Sequence, residues 1–182
     1  MSYVKNSTGG KILAVTQAII DRVDSQSVAS GGTWNPTIPN IGTAGQYFGL
    51  TVSPIRADSK ILFQGFVMAA CPDAGTVMLI LRKDGSDITE AIATNVGSKR
   101  ACHSGNITSA NAACIPLPIN YLMPLSSASP FEFHIELAHE SGSTRTMYIN
   151  RSAGDGDNNQ YGRYVSISVS YTHLTLPTKR IV

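Results

Sequence analysis

The chain has 182 residues, 42% of them apolar and only 14% charged, with a formal net charge of +2. Charged residues usually make up about a quarter of a soluble domain, so the polar surface here must come from Ser, Thr, Asn and Gly, as in many all-β proteins. That balance excludes intrinsic disorder, which needs low hydrophobicity and high charge, and a Glu/Lys/Leu-rich coiled coil. With 14 basic against 12 acidic residues, there is no electrostatic basis for nucleic-acid binding.

Residues 1–10 are polar, with Ser2, Asn6, Ser7, Thr8, Gly9 and Gly10, and read as a flexible segment. They contain no apolar stretch of signal-peptide length, so synthesis in a cytosol without the usual export is expected. No apolar run is long enough to span a membrane. From Lys11 the apolar pattern has period two rather than 3.6. Lys11–Asp21 opens the ordered region as a strand. Ala29–Gly45, with Pro36 and Pro39, reads as an irregular loop. Tyr47–Ser53 alternates and stops at Pro54. Lys60–Ala70 is a longer strand with Gly65 as a candidate bulge. Thr76–Arg82 is followed by Asp84-Gly85, whose positive φ angles suit a tight hairpin, with Ile88–Thr94 as the returning strand.

Gly97–Ala113 is small and polar and reads as a long loop. Ile115–Met123 carries Pro116 and Pro118, which confine it to an edge or a bulge. Phe131–Glu140 alternates strictly, with Phe131, Phe133, Ile135 and Leu137 on one face and Glu132, His134 and Glu136 on the other. Met147–Arg151, the Gly/Asp/Asn loop Ala153–Gln160 and a strand Tyr161–Ser168 complete the pattern. Eight to nine strands without a helix argue for an all-β fold, a single β-sandwich of jelly-roll type over residues 11–168.

The stretch Val169–Thr178 resembles a translated transposon mosaic-end adapter of the kind used in sequencing libraries. The resemblance implies that residues 169–182 are not native and that the last native strand is cut short. Setting aside Lys179 and Arg180, the basic count falls from 14 to 12 and equals the acidic count.

Four stretches carry a second resemblance: Gly10–Val15, Leu50–Pro54 running on to Ser59–Leu62, Leu81–Gly85, and Tyr148–Ser152. Their order and spacing resemble uncharacterised virion proteins of marine tailed phages, described as tail-fibre or receptor-binding-like. The resemblance implies a jelly roll similar to tumour-necrosis-factor and complement heads, often a homotrimer. Such a protein would be part of a virion, made in the bacterial host cytoplasm, with other virion proteins and a host cell-surface receptor or glycan as partners. Its function would be non-covalent contact by loops on a rigid scaffold, with effective concentration raised by symmetry. A capsid decoration or neck protein binding only other virion proteins is the second reading. A depolymerase or metal-dependent hydrolase is the third.

No catalytic constellation is present in the sequence, so no enzyme and no cofactor is expected. His134-Ile-Glu136-Leu-Ala-His139 lacks the zincin spacing, because its histidines are five apart on a strand and face opposite sides. A hydrolase would need clustered carboxylates, and only Glu132 and Glu136 share a strand face. Asp155, Asp157 and Asn159 alternate as calcium-loop ligands do, but the following glycine and the closing acid are missing; a solvated turn is the competing reading. The contact loops expected are Ser98–Ala113 and Ala153–Tyr161, and the contact residues weighed are Trp34, His103, Asn106, Asn158 and Tyr161. Arg82, Lys83, Arg151 and Arg163 are candidates for pairing across a trimer seam. Cys71, Cys102 and Cys114 lack CxxC spacing and read as reduced thiols.

Overall fold

The computed structural model describes residues 11–21, 23–29, 49–71, 76–94, 101–107, 114–154, 164 and 166–174. Eleven strands are assigned: β1 (Lys11–Ile20), β2 (Asp24–Val28), β3 (Gly49–Val52), β4 (Ser59–Ala70), β5 (Thr76–Lys83), β6 (Ser86–Asp87), β7 (Ser104–Ile107), β8 (Ile115–Pro124), β9 (Phe131–His139), β10 (Arg145–Ile149) and β11 (Ser166–Leu174). All strand pairs are antiparallel. One sheet has β8 beside β4, with β11 and β10 on the far side of β4 and β1 and β2 beyond them; the other runs β3-β9-β5, with β6 and β7 on the far side of β5.

Three rows of this sandwich are interrupted strands. β11 pairs with Ser59–Phe66 of β4 and β10 with Ala69 and Ala70, so both lie in one line and run the same way. β1 and β2 follow that line as its outer neighbours. β6 pairs with Arg82 and Lys83, and β7 with Thr76–Leu79, again in one line along β5. Joining each pair leaves eight rows, ordered 1-8-3-6 in one sheet and 2-7-4-5 in the other. That order is a jelly roll, as the strand pattern predicts.

The core lies between the sheets. Phe63 of β4 stacks on Phe133 of β9, with ring centroids 3.7 Å apart and planes 7° apart. Ile61, Val67, Leu79, Leu81, Leu117, Ile135 and Leu137 are fully buried around them. Burial of side chains of this size stabilises by about 1.5–3 kcal/mol each. The alternation of β9 places Phe131, Phe133, Ile135 and Leu137 inward, as expected.

Several expectations are corrected. Gly65 makes no bulge: it pairs with Ser168 on one side and Ile119 on the other without a break in register. Asp84 (φ 49°) and Gly85 (φ 77°) do form the tight turn, but the returning strand is only Ser86–Asp87. Thr89–Ala91 is a 3₁₀ helix where a strand over Ile88–Thr94 is predicted. The polar stretch Ser98–Ala113 is not simply a loop, since β7 within it pairs with β5. His134 and Glu136 are buried although they face away from the core, because the outer face of the second sheet is also covered, as Met78 and Ile80 show. β11 runs through Leu174, so the boundary between residues 168 and 169 falls inside a strand. Backbone pairing needs only extended, alternating sequence, and Val-Ser-Tyr-Thr-His-Leu supplies it.

Candidate functional site

At one edge of the sandwich the mouth between the sheets forms a cleft of about 450 Å³. One wall is the β5–β6 turn and the 3₁₀ helix, with Lys83, Ser86, Asp87, Ile88 and Glu90; the other is β8 from Tyr121 to Pro124. Ile88 and Met123 are buried and form its apolar depth, while Ser86, Asp87 and Glu90 are exposed at the rim.

The turn wall is held from both ends. Asp84 N–H donates to the Glu132 carbonyl at 2.9 Å, and the Asp84 carboxylate accepts from Glu132 N–H at 2.9 Å. Arg82 Nη1 donates to the Gly85 carbonyl at 2.9 Å, and Arg82 Nη2 lies 3.1 Å from Asp87 Oδ1. Behind it, Arg82 Nε lies 3.0 Å from Glu136 Oε2, close enough for an ion pair but off the axis of a hydrogen bond. His134 Nε2 is 3.7 Å from Glu136 Oε1. Arg82 thus bridges a buried carboxylate and a rim carboxylate. Lys83 Nζ sits 4.8 Å over the Phe131 ring.

The opposite wall is an edge strand, as Pro116 and Pro118 predict. Even-numbered residues of β8 turn their backbone groups away from β4, as the outward bond of Asn120 N–H to His103 Nε2 at 3.3 Å shows. Pro116, Pro118 and Pro124 have no N–H, so among the described outward positions only Leu122, in the cleft, keeps a donor not already removed or bonded. Prolines on an exposed edge block addition of another strand.

His103 Nδ1 lies 2.8 Å from the Ala91 carbonyl. A carbonyl only accepts and an amide N–H only donates, so both bonds require the Nδ1–H tautomer. His103 therefore ties the 3₁₀ helix to β8 and sets the width of the cleft. Burial, with the Glu90 charge second, pushes the Tyr121 phenol up from its ordinary value.

Of the residues weighed from sequence, His103 stands behind the cleft with both ring nitrogens bonded, and Asn106 lies exposed on β7. Trp34, Asn158, Tyr161, the calcium-like Asp155, Asp157 and Asn159, and Arg163 lie outside the described residues. Among the described residues no cluster of three metal-ligating side chains occurs. Glu132 is exposed while Glu136 is buried against Arg82. His139, facing inward, binds the Val28 carbonyl through Nε2 at 3.1 Å and accepts from Ser141 N–H at 3.2 Å through Nδ1. Arg82 is committed within the chain, and Arg151 lies 4.4 Å over the Tyr148 ring. Cys71, Cys102 and Cys114 are not joined in disulfides. Burial pushes Cys114 up to about 12 and raises Cys102 as well.

The residues of the cleft were not singled out as a site by sequence, because two walls from different sheets meet there. The available signal was the proline spacing of β8 together with the Asp-Gly turn. No helix among the described residues is long and apolar enough to cross a membrane. Comparison with protein-family models and with curated proteins returns no match for this chain.

Proposed function

We propose that this protein is a structural component of a tailed-phage virion, a tail-fibre or receptor-binding head that makes non-covalent contacts with the host surface as a homotrimer. The observation that carries this reading is the jelly-roll order combined with its interrupted rows. The rows of β4, β5 and β9 are continuous, while those of β6 with β7 and of β10 with β11 are interrupted. Segments that connect the strands of a rigid scaffold are suited to contact. The resemblance of Gly10–Val15, Leu50–Pro54 running on to Ser59–Leu62, Leu81–Gly85 and Tyr148–Ser152 to phage virion proteins supports the same reading.

Association of copies is supported by the outer face of the first sheet. Val15 and Ile19 on β1 are 56% and 60% exposed, and Leu122 on β8 is 50% exposed. Register places Ile19 in one cross-strand row with Ile167, Phe66 and Pro118. Covering such a face removes apolar area from water.

Light scattering on the purified chain tests the trimer, with a monomer at micromolar concentration overturning it. Adhesion of fluorescently labelled protein to candidate host cells, with a glycan array, tests the contact role. Co-purification with tailless capsids in place of cell adhesion would assign the chain to capsid decoration or the neck instead.

A further inference from the structure

We infer that the cleft between the β5–β6 turn and β8 is a binding site for an uncharged saccharide. This deepens the proposed function by naming a ligand class and a place, and its partner rests on that reading. Four observations carry it.

The volume of about 450 Å³ is in the range of small-ligand sites, roughly 300–1,000 Å³. The cleft is amphipathic: Ile88, Met123 and the half-buried Tyr121 offer apolar surface, and Ser86, Asp87 and Glu90 offer hydrogen-bonding groups at the rim. A sugar ring has this same division, with C–H faces and hydroxyl edges. The cations near the cleft are engaged: Arg82 faces Asp87 at 3.1 Å and is shared with Glu136, and Lys83 lies over the Phe131 ring. An anionic ligand therefore finds no uncompensated cation, whereas neutral hydroxyls can donate to the Asp87 and Glu90 carboxylates in charge-assisted bonds. Finally, Asn120 N–H on the outward edge of β8 is taken by His103, and the outward N–H left to a ligand is that of Leu122, within the cleft, where it can bind a hydroxyl oxygen. A peptide strand is disfavoured because the prolines at 116, 118 and 124 remove the donors that strand addition needs. The Tyr121 phenol, pushed up by burial and by Glu90, stays protonated and can donate.

The test is an amide NMR titration of the ¹⁵N-labelled full chain with methyl glucoside, methyl galactoside, methyl mannoside and methyl N-acetylglucosaminide, against glucuronate. Saturable shifts centred on Leu122, Ser86 and Glu90 with at least one neutral glycoside, and weaker ones with glucuronate, are expected. Glu90→Gln, at an exposed position that folding tolerates, should weaken binding about tenfold through loss of a charge-assisted bond. Tyr121→Ala should abolish it while the dispersion of core amides is retained. Absence of cleft shifts with every neutral glycoside, or equal binding by the Glu90→Gln and Tyr121→Ala variants, overturns the inference. If wild-type protein adheres to host cells and the cleft variants adhere equally, the cleft assignment fails while the adhesive role stands. If cleft shifts occur without cell adhesion, the saccharide site stands and the host-contact role fails.

Discussion

The two long interruptions of the ladder are closed in different ways. Between β10 and β11 the break is closed by backbone and side chains together, around the buried Asn150 and Ser166. Asn150 N–H donates to the Met68 carbonyl at 3.0 Å, and Tyr164 N–H donates to the Asn150 carbonyl at 2.8 Å. Met68 N–H donates to Ser166 Oγ at 2.9 Å, and the Ser166 hydroxyl donates to Asn150 Oδ1. Between β6 and β7 the break lies on an edge row and is tied to β5 by backbone bonds, with Ile88 N–H on the Leu81 carbonyl at 3.1 Å and His103 N–H on the Leu79 carbonyl at 2.8 Å. An inner row has a neighbour on each side and no access to water, so every donor left by the missing strand must find a protein partner. An edge row can leave its outer groups to solvent or to a ligand. The inner break is therefore a stability element, and the outer one frames the cleft.

The largest expected effect is at Asn150, which is fully buried and holds φ 58°. Asn150→Ala should cost about 2–4 kcal/mol, by leaving the Ser166 hydroxyl without its acceptor and straining a left-handed residue. Asn150→Gly removes the bond but keeps the backbone relaxed, so urea denaturation should place it between wild type and Ala. Equal losses for Ala and Gly would mean that the backbone conformation contributes nothing. At the edge row, His103→Ala should cost only about 1 kcal/mol, because water can replace its bond to Asn120. Its clearer consequence is a change in the amide shifts of Ala91 and Asn120. A loss as large as that of Asn150→Ala would erase the distinction between the two breaks.

Thiol reactivity sharpens the contrast further. Cys71 is fully buried at the end of β4, whereas Cys102 and Cys114 flank the edge strand β7. Only the thiolate reacts, and burial holds Cys114 at about 12. Iodoacetamide at mildly alkaline pH, followed by mass spectrometry, should label Cys102 first, Cys114 more slowly, and Cys71 only on unfolding. The smallest effect is expected at Asp58, away from both breaks. Its bond to Arg56 at 2.9 Å lowers its carboxyl below the ordinary range. Its contribution is present above the unfolded value and lost as pH falls through the lowered folded one. Both groups are exposed to screening solvent, so Asp58→Asn should leave the melting temperature unchanged at pH 7.

Much of the scaffold was legible in the chain. Thr76–Arg82 and Phe131–Glu140 carry a strand pattern that no helix shares, and Asp84-Gly85 supplies two left-handed residues where a tight turn needs them. The misread elements are those whose conformation depends on a neighbour. Ser104-Gly-Asn-Ile107 has weak strand propensity, yet β5 offers an unpaired edge and recruits it. Ile88–Thr94 has an acceptable strand pattern, yet the chain leaves the ladder after Asp87. Nothing in the sequence around Asn150 marks its role; only the tertiary structure brings Met68, Tyr164 and Ser166 to its main chain and side chain.

Sequence by itself determined the all-β class and the alternation of buried and exposed faces, because the pleat that sets period two is a local property of the backbone. It also narrowed the start of β8 to an edge or a bulge, since proline lacks an N–H wherever it stands, and the structure places the strand at an edge. Tertiary structure alone decided that His134 and Glu136 would be covered, that the edge of β8 would keep its remaining N–H inside a cleft, and that Arg82 would hold Asp87 and Glu136 together. Those outcomes depend on which distant segments share a desolvated space, and periodicity along one strand contains no record of what packs across from it.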